Sequence, residues 1–437
     1  MILFMKTHLL KALSALFMLI VFSSSTIAQI EINIDGGVES GMPIAVVPFK
    51  APEGVELDHQ IHKIVSNNLY VTGKFEPIPS EKFLTLPSKL EEVRAKDWRL
   101  INAQVLVFGE IWTLGRDSYE VIYRMYDVAR DKQIGETKRV AKIRAEDMRA
   151  VAHLISDDVY KAITSNGGAF RSKLAYVERE QLGTQRFRYS LMVSDWDGYN
   201  PIAVYESKNP ILSPDWSPDS QNIAFVNLTN KGPIVRVVDL SSGKVKTVAD
   251  FKGVNSAPSW SPDGTKLAYS SSRYGSPDIF VYDTVTKEHT RLTTHYGIDT
   301  EPSWGPRSES LLFTSNRSRK PQIFRLSLLD ESVDRLTFEG DENANASYDE
   351  SGKNIVMVHD GGNIVLLNSE TDEMQWLTKA KFDESPSFSP NGDMVLYMTE
   401  QGFEPTMIVA SVNGRVRTKV EFVRGDVREP TWSPLKK

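Results

Sequence analysis

A turn centred on an aromatic residue recurs along the C-terminal part of the chain, and its spacing constrains the fold more than any other feature. One copy reads Ala257-Pro258-Ser259-Trp260-Ser261-Pro262-Asp263-Gly264, followed by Lys266-Leu267-Ala268-Tyr269. Proline at the second turn position presets its backbone angle, Asp and Gly tolerate the next, and the flanking residues read as the two strands of a hairpin. The aromatic returns as Trp216, Trp260, Trp304, Tyr348, Phe388 and Trp432, at intervals of 44 residues apart from one of 40. A fixed period of this length, with several strands in each unit, indicates a propeller.

Within one period the further strands fall at Lys266–Ser271, Asp278–Asp283 and Thr290–Thr293, so each unit holds the four strands of one blade. The last two of these recur at Val235–Asp239 with Val245–Val248, at Gln322–Leu326 with Arg335–Thr337, and at Ile364–Asn368 with Trp376–Thr378. The stretch Lys173–Glu178 copies the second strand with no motif strand before it, whereas Trp432 has no blade after it. The C-terminal strand is therefore expected to pair into the first blade and close a ring of six, removing open sheet edges. The motif aromatics are expected to pack between blades, and Asp219 and Asp263 to cap their turns.

At 437 residues the chain is too long for one ordinary core, and two domains are the starting expectation. Residues 42–165 read as an α/β domain. Pro43–Phe49 and Ala103–Gly109 are apolar runs suited to buried strands, and Leu57–Leu69 has helical spacing. Tyr119–Val128 and Gln133–Ile143 form a hairpin pair, and Ala145–Thr164 is an amphipathic helix with Met148, Val151, Ile155, Val159 and Ile163 on one face. Ser165–Gly168 is the linker to a propeller spanning residues 170–437.

Residues 1–28 have the pattern of a secretory signal: Lys6 and Lys11, an apolar run from Ala12 to Phe22, then Ser23–Thr26 and a cleavage residue at Ala28. The run is shorter than the ~20 residues a membrane span requires. A soluble, exported protein, best placed in a bacterial periplasm, is expected. The mature chain would open with an arm, residues 29–41, in which Ile30, Ile32 and Ile34 alternate with Glu31, Asn33 and Asp35 ahead of Gly36-Gly37. That arm can fold back as an edge strand or be offered to a partner by strand addition.

Composition narrows the function. A net charge of −6 is a poor footprint for nucleic-acid binding. The absence of cysteine excludes disulfides, thiolate catalysis and Cys-ligated zinc. No dinucleotide or phosphate loop occurs, nor the G-x-S-x-G elbow of a hydrolase. The seven histidines are scattered; His59 and His62, three apart on a helix, make a metal half-site without a matching partner. Asp195-Trp196-Asp197-Gly198 has calcium-loop chemistry but lacks the remaining ligands.

The repeat form W-S-P-D-G-x-x-[LI]-[AV]-[FY] is similar to the WD40-like repeats of the TolB family. So is the order of the parts: a signal, a short mature strand, an α/β domain with Pro43-Ile44-Ala45-Val46-Val47-Pro48-Phe49, and six repeats ending at Trp432-Ser433-Pro434. The resemblance implies a periplasmic scaffold rather than an enzyme, one that supports outer-membrane integrity and envelope constriction at cell division. It implies two partners: the peptidoglycan-associated lipoprotein Pal at the mouth of the propeller channel, and TolA through the arm. The same resemblance adds other Tol-system and outer-membrane proteins to these, and implies no cofactor.

On that reading Ile30, Glu31, Ile32, Asn33, Ile34 and Asp35 face TolA. The Pal-facing residues lie at the start of each motif strand: Asn255, Ala257, Thr300, Glu301, Asn345, Glu384, Arg428 and Glu429. Ala257 and Thr300 match the family's Pal-facing pattern, whereas Val254 stands where many relatives have histidine. This rim reads as small, amide or acidic, a polar funnel in which a cation could sit. The alternative is a small-ligand or lactonase-type propeller, for which Glu301, Glu384 and Glu429 are the candidate metal-ligating carboxylates.

Overall fold

The computed structural model describes residues 40–54, 59–380, 382–401, 404–421, 423 and 425–435. The N-terminal domain is a five-stranded sheet with helices against it. β1 (Met42–Val46) lies between β2 (Phe75–Pro77) and β3 (Val105–Gly115), parallel to both. β4 (Ser118–Asp127) and β5 (Lys132–Ile143) extend the sheet as the expected antiparallel hairpin. Helix α1 (Ile61–Val71) begins later than Leu57, residues 55–58 lying outside the described set, and α2 (Ala95–Leu100) and β2 are elements too short for periodicity to reveal. Helix α3 (Met148–Thr164) buries the predicted stripe of Met148, Val151, Ile155, Val159 and Ile163.

Six four-stranded sheets follow. The first blade contains β6 (Lys173–Gly183), β7 (Arg186–Asp195) and β8 (Ile202–Ser207), and its innermost strand is β29 (Asp426–Trp432). Register runs Trp432↔Leu174, Thr431↔Ala175 and Arg428↔Val177, so the C-terminal strand closes the ring as expected. The other innermost strands are β9 (Ile211–Trp216), β13 (Asn255–Trp260), β17 (Asp299–Trp304), β21 (Asn343–Tyr348) and β25 (Glu384–Phe388).

Each motif aromatic packs against the neighbouring blade. Trp216 joins Ala175, Val177 and Leu191, while Trp304 joins Ala268 and Ile279 and donates its indole N–H to Ser259 O at 3.0 Å. Asp263 caps its turn as expected, accepting from Ser261 Oγ at 2.6 Å and Thr265 N at 2.9 Å; Asp219 does the same for Gln221 N at 2.9 Å.

The α/β domain sits on the face of the propeller that carries these turns. The α1 C-terminus meets the turn after β27 (Glu404–Ser411): Arg415 Nη1 donates to Gly73 O at 2.7 Å. Gly73 has φ +68°, and a Cβ there would stand 2.5 Å from Asn413 Oδ1, so both conformation and space require glycine. On α3, Tyr160 donates to Asp393, and Asp157 accepts from Phe170 N at 2.9 Å. One core runs through both domains, from Val65 and Ile155 to Leu174, Met192 and Met394. The aromatic series Tyr160, Phe170, Trp196, Trp432 crosses the junction, Trp196 and Trp432 being parallel with centroids 6.3 Å apart.

Candidate functional site

Among the described residues the opposite face is free of the α/β domain, and it carries the channel mouth. Each innermost strand enters from this face and is broken by a bulge one to three residues later. The bulge residue has positive φ in every blade: Ser213 (47°), Ala257 (48°), Glu301 (54°), Asn345 (53°), Ser385 (54°) and Glu429 (55°). None is glycine, so each stores backbone strain of about 1–2 kcal/mol. All six lie three residues before the motif aromatic, and all six line a channel cavity of about 430 Å³.

Two of them cap the next blade. Glu301 Oε2 accepts from Asn345 N at 2.9 Å and from Thr314 Oγ1 at 2.8 Å, and Glu429 Oε2 accepts from Ser213 N at 3.2 Å. A bulge leaves its backbone N–H outside the ladder, and here a glutamate from the preceding blade satisfies it. Asp215, on the channel wall, accepts from Trp260 N at 2.6 Å, as Ser387 Oγ accepts from Trp432 N at 3.0 Å. Burial pushes the Asp215 carboxyl up to about 7. Burial also raises Glu429, and repulsion from Glu384 and Glu301 adds to it.

The expected Pal-facing residues separate into groups. Ala257, Glu301, Asn345, Glu384 and Glu429 line the channel, and Thr300 is half-buried on β17 above it. Arg428 is exposed at the mouth and pairs with Asp426 at 3.2 Å. Asn255 requires correction: it is fully buried, donating to Phe251 O at 2.7 Å and Pro233 O at 3.2 Å, so its side chain anchors the loop and cannot meet a partner. The expected arm residues Ile30, Glu31, Ile32, Asn33, Ile34 and Asp35 lie outside the described residues.

The mouth is also less polar than its sequence reading. Tyr274, Tyr296, Phe338 and Phe382, 64–84% exposed, stand in loops on this face together with Val254 and Ile298. Aromatic and aliphatic side chains thus stand beside the acidic channel in the loops that enter and belong to the third to sixth blades. They escaped the sequence reading because they lie at varying distances before the motif: Tyr296 eight residues ahead of Trp304, Phe338 ten ahead of Tyr348, Phe382 six ahead of Phe388.

The candidate metal-ligating carboxylates of the channel do not converge into a ligand group. Among the described residues, the group of three ligand-type side chains within 4.8 Å of one another is His153, Asp195 and Asp197, not the channel glutamates Glu301, Glu384 and Glu429. Basic residues already serve that group: Arg149 pairs with Asp197 and Lys173 with Asp195. His153 Nδ1 accepts from Asn68 Nδ2 at 3.0 Å, which leaves the proton on Nε2, and burial, then Arg149, pushes the imidazole down to about 3. The calcium-like turn is thus part of the interdomain junction. His59 bonds the Tyr199 hydroxyl at 3.1 Å.

Comparison with known proteins agrees with this architecture. The family described as TolB amino-terminal domain matches residues 30–134, and that described as TolB beta propeller domain matches residues 160–436. The chain belongs to the TolB family. A "Tol-Pal system protein TolB" of Nitrosococcus oceani is 45% identical over 423 residues, covering 96% of this chain and 97% of the relative. One of the same description from Xanthomonas campestris is 44% identical over 435 residues, covering 98% of each. The crystal structure of TolB from Acinetobacter baumannii superposes with a TM-score of 0.82 at 35% identity, covering 91% of this chain and 98% of that one. As a TolB family member the protein is a scaffold and not an enzyme. Among the described residues no helix is long and apolar enough to cross a membrane.

Proposed function

We propose that this protein is a periplasmic scaffold of the Tol-Pal system, that it docks Pal on the channel mouth, and that it engages TolA through residues 29–41. The observation that carries the Pal contact is the set of exposed aromatics Tyr274, Tyr296, Phe338 and Phe382 beside an acidic channel, on the face away from the α/β domain. Clustered exposed apolar side chains beside polar groups mark protein interfaces, and aromatics dominate their binding energy. The relatives named for the Tol-Pal system support the choice of partner.

A pull-down from envelope extract tests the docking. Wild-type protein should recover Pal, and Thr300→Arg, which places a long cation above the channel, should not; equal recovery by both puts the interface elsewhere. The arm is tested by deleting residues 29–35. TolA binding should be lost while Pal binding is kept or strengthened, and unchanged TolA affinity sinks that assignment. A strengthened Pal affinity would mean that the arm and the mouth are linked through a shared population shift.

A further inference from the structure

A second cavity, of about 320 Å³, opens beside the channel between the fifth and sixth blades. Glu342, Asp383, Glu384, Glu400 and Arg428 line it with Phe382 and Met398, and Glu384 borders the channel as well. Four carboxylates face one guanidinium, and Arg428 is drawn to Asp426 outside the cavity lining. Asp383 is the unusual member. It is 2% exposed, and its Oδ1 is fully buried with no hydrogen-bond partner. An unpaired buried carboxylate oxygen is costly, and native proteins rarely leave one without a reason.

The fourth blade shows what such an aspartate takes. Asp299 stands at the same distance before its motif aromatic, five residues ahead of Trp304 as Asp383 is ahead of Phe388. Its Oδ1 accepts from Ser315 Oγ at 2.6 Å and its Oδ2 from Arg317 Nη2 at 2.7 Å, with that guanidinium 5.0 Å from the Phe313 ring centroid. A buried aspartate of the third blade, Asp278, likewise holds Arg291 at 2.6 Å, though through Oδ2 alone, its Oδ1 being without a partner. In the sixth blade, where Glu384 pairs with Met398, the strand position matching Arg317 falls at Gln401. The chain thus keeps the acid and omits the arginine. The two remaining blades with a polar residue at this position carry neutral Asn255 and Asn343, which need no cation.

We propose that this cavity receives an arginine side chain of the protein docked at the mouth. The guanidinium would donate to Asp383 and Glu384, with its stem along Met398 and the exposed Phe382. Carboxylates spread across a cavity, with an aromatic ring at its edge, suit a planar fork of donors better than a compact ion. This inference rests on the Pal-docking reading for the identity of the partner, but the cavity can be tested without it.

The test uses the full-length mature protein and two probes, Nα-acetyl-L-arginine amide and its neutral isostere Nα-acetyl-L-citrulline amide, followed by ligand-observed NMR. The arginine probe should bind wild-type protein at least tenfold more tightly than the citrulline probe, and Asp383→Asn should abolish that difference. Equal binding of the two probes, or a preference that survives Asp383→Asn, overturns the proposal. In parallel, Asp383→Asn should weaken the Pal periplasmic domain at least tenfold while raising the thermal midpoint of the free protein, a pair of changes that misfolding cannot produce. Wild-type Pal affinity in that variant overturns the role in docking. If Pal binds neither protein, the docking reading fails and the probe preference alone decides the cavity.

Discussion

Glu301 reaches across a blade boundary and accepts the backbone N–H of Asn345 at 2.9 Å, the residue at the same bulge position in the next blade. Glu429 repeats the contact with Ser213. These channel glutamates therefore hold the ring together as well as giving the mouth its charge. Replacing Glu301 by Ala takes the acceptor from the Thr314 hydroxyl and leaves the Asn345 N–H only its longer bond to Thr314 Oγ1 at 3.2 Å, and should cost about 1–3 kcal/mol in urea denaturation. Glu301→Gln keeps an acceptor and should cost less than half as much.

Asp215 predicts a pH dependence. Its carboxyl is raised from 3.8 to about 7 in the folded protein, so between those values the folded state holds more proton than the unfolded state. Its contribution to stability is then fully present below pH ~4 and declines as pH rises to ~7. Asp215→Ser installs the residue type that Ser259, Ser303, Ser347 and Ser387 supply in other blades, and a hydroxyl can still accept the Trp260 N–H as Ser387 does for Trp432. The difference in denaturation midpoint between variant and wild type should favour the variant increasingly from pH 5 to pH 8.

Trp432 closes the ring, stacks on Trp196, and donates its indole N–H to Ser172 at 2.5 Å. Trp432→Ala removes a side chain shared by the first blade, the sixth blade and the domain junction. A loss of about 3–5 kcal/mol is expected. Because one core spans both domains, they should unfold in a single transition in wild type, read by near- and far-UV circular dichroism together.

Most of the scaffold was legible because it repeats. Period 44 fixed the blades, and the two unmatched ends, Lys173–Glu178 and Trp432, fixed the closure. Elements without period, α2 and β2, were invisible. At the mouth, the channel-lining positions Ala257, Glu301 and Glu429 were found because they sit at a constant offset from an aromatic. Tyr296, Phe338 and Phe382 sit at no constant offset, and an exposed aromatic in a loop has no pattern to betray it. The burial of Asn255 was equally hidden, since an amide before a strand reads alike whether it faces solvent or ties down its own loop.

The aromatic mouth, rather than the face bearing the turns, is the proposed Pal-docking surface. Calorimetric titration of the Pal periplasmic domain into three proteins tests it directly: wild type, the double variant Tyr296→Ala/Phe338→Ala, and Leu329→Glu, an exposed apolar side chain on the opposite face. Loss of two exposed aromatics should weaken binding by more than about tenfold without lowering stability, and Leu329→Glu should match wild type. Undiminished binding by the mouth variant, or a greater loss from Leu329→Glu, would contradict the account.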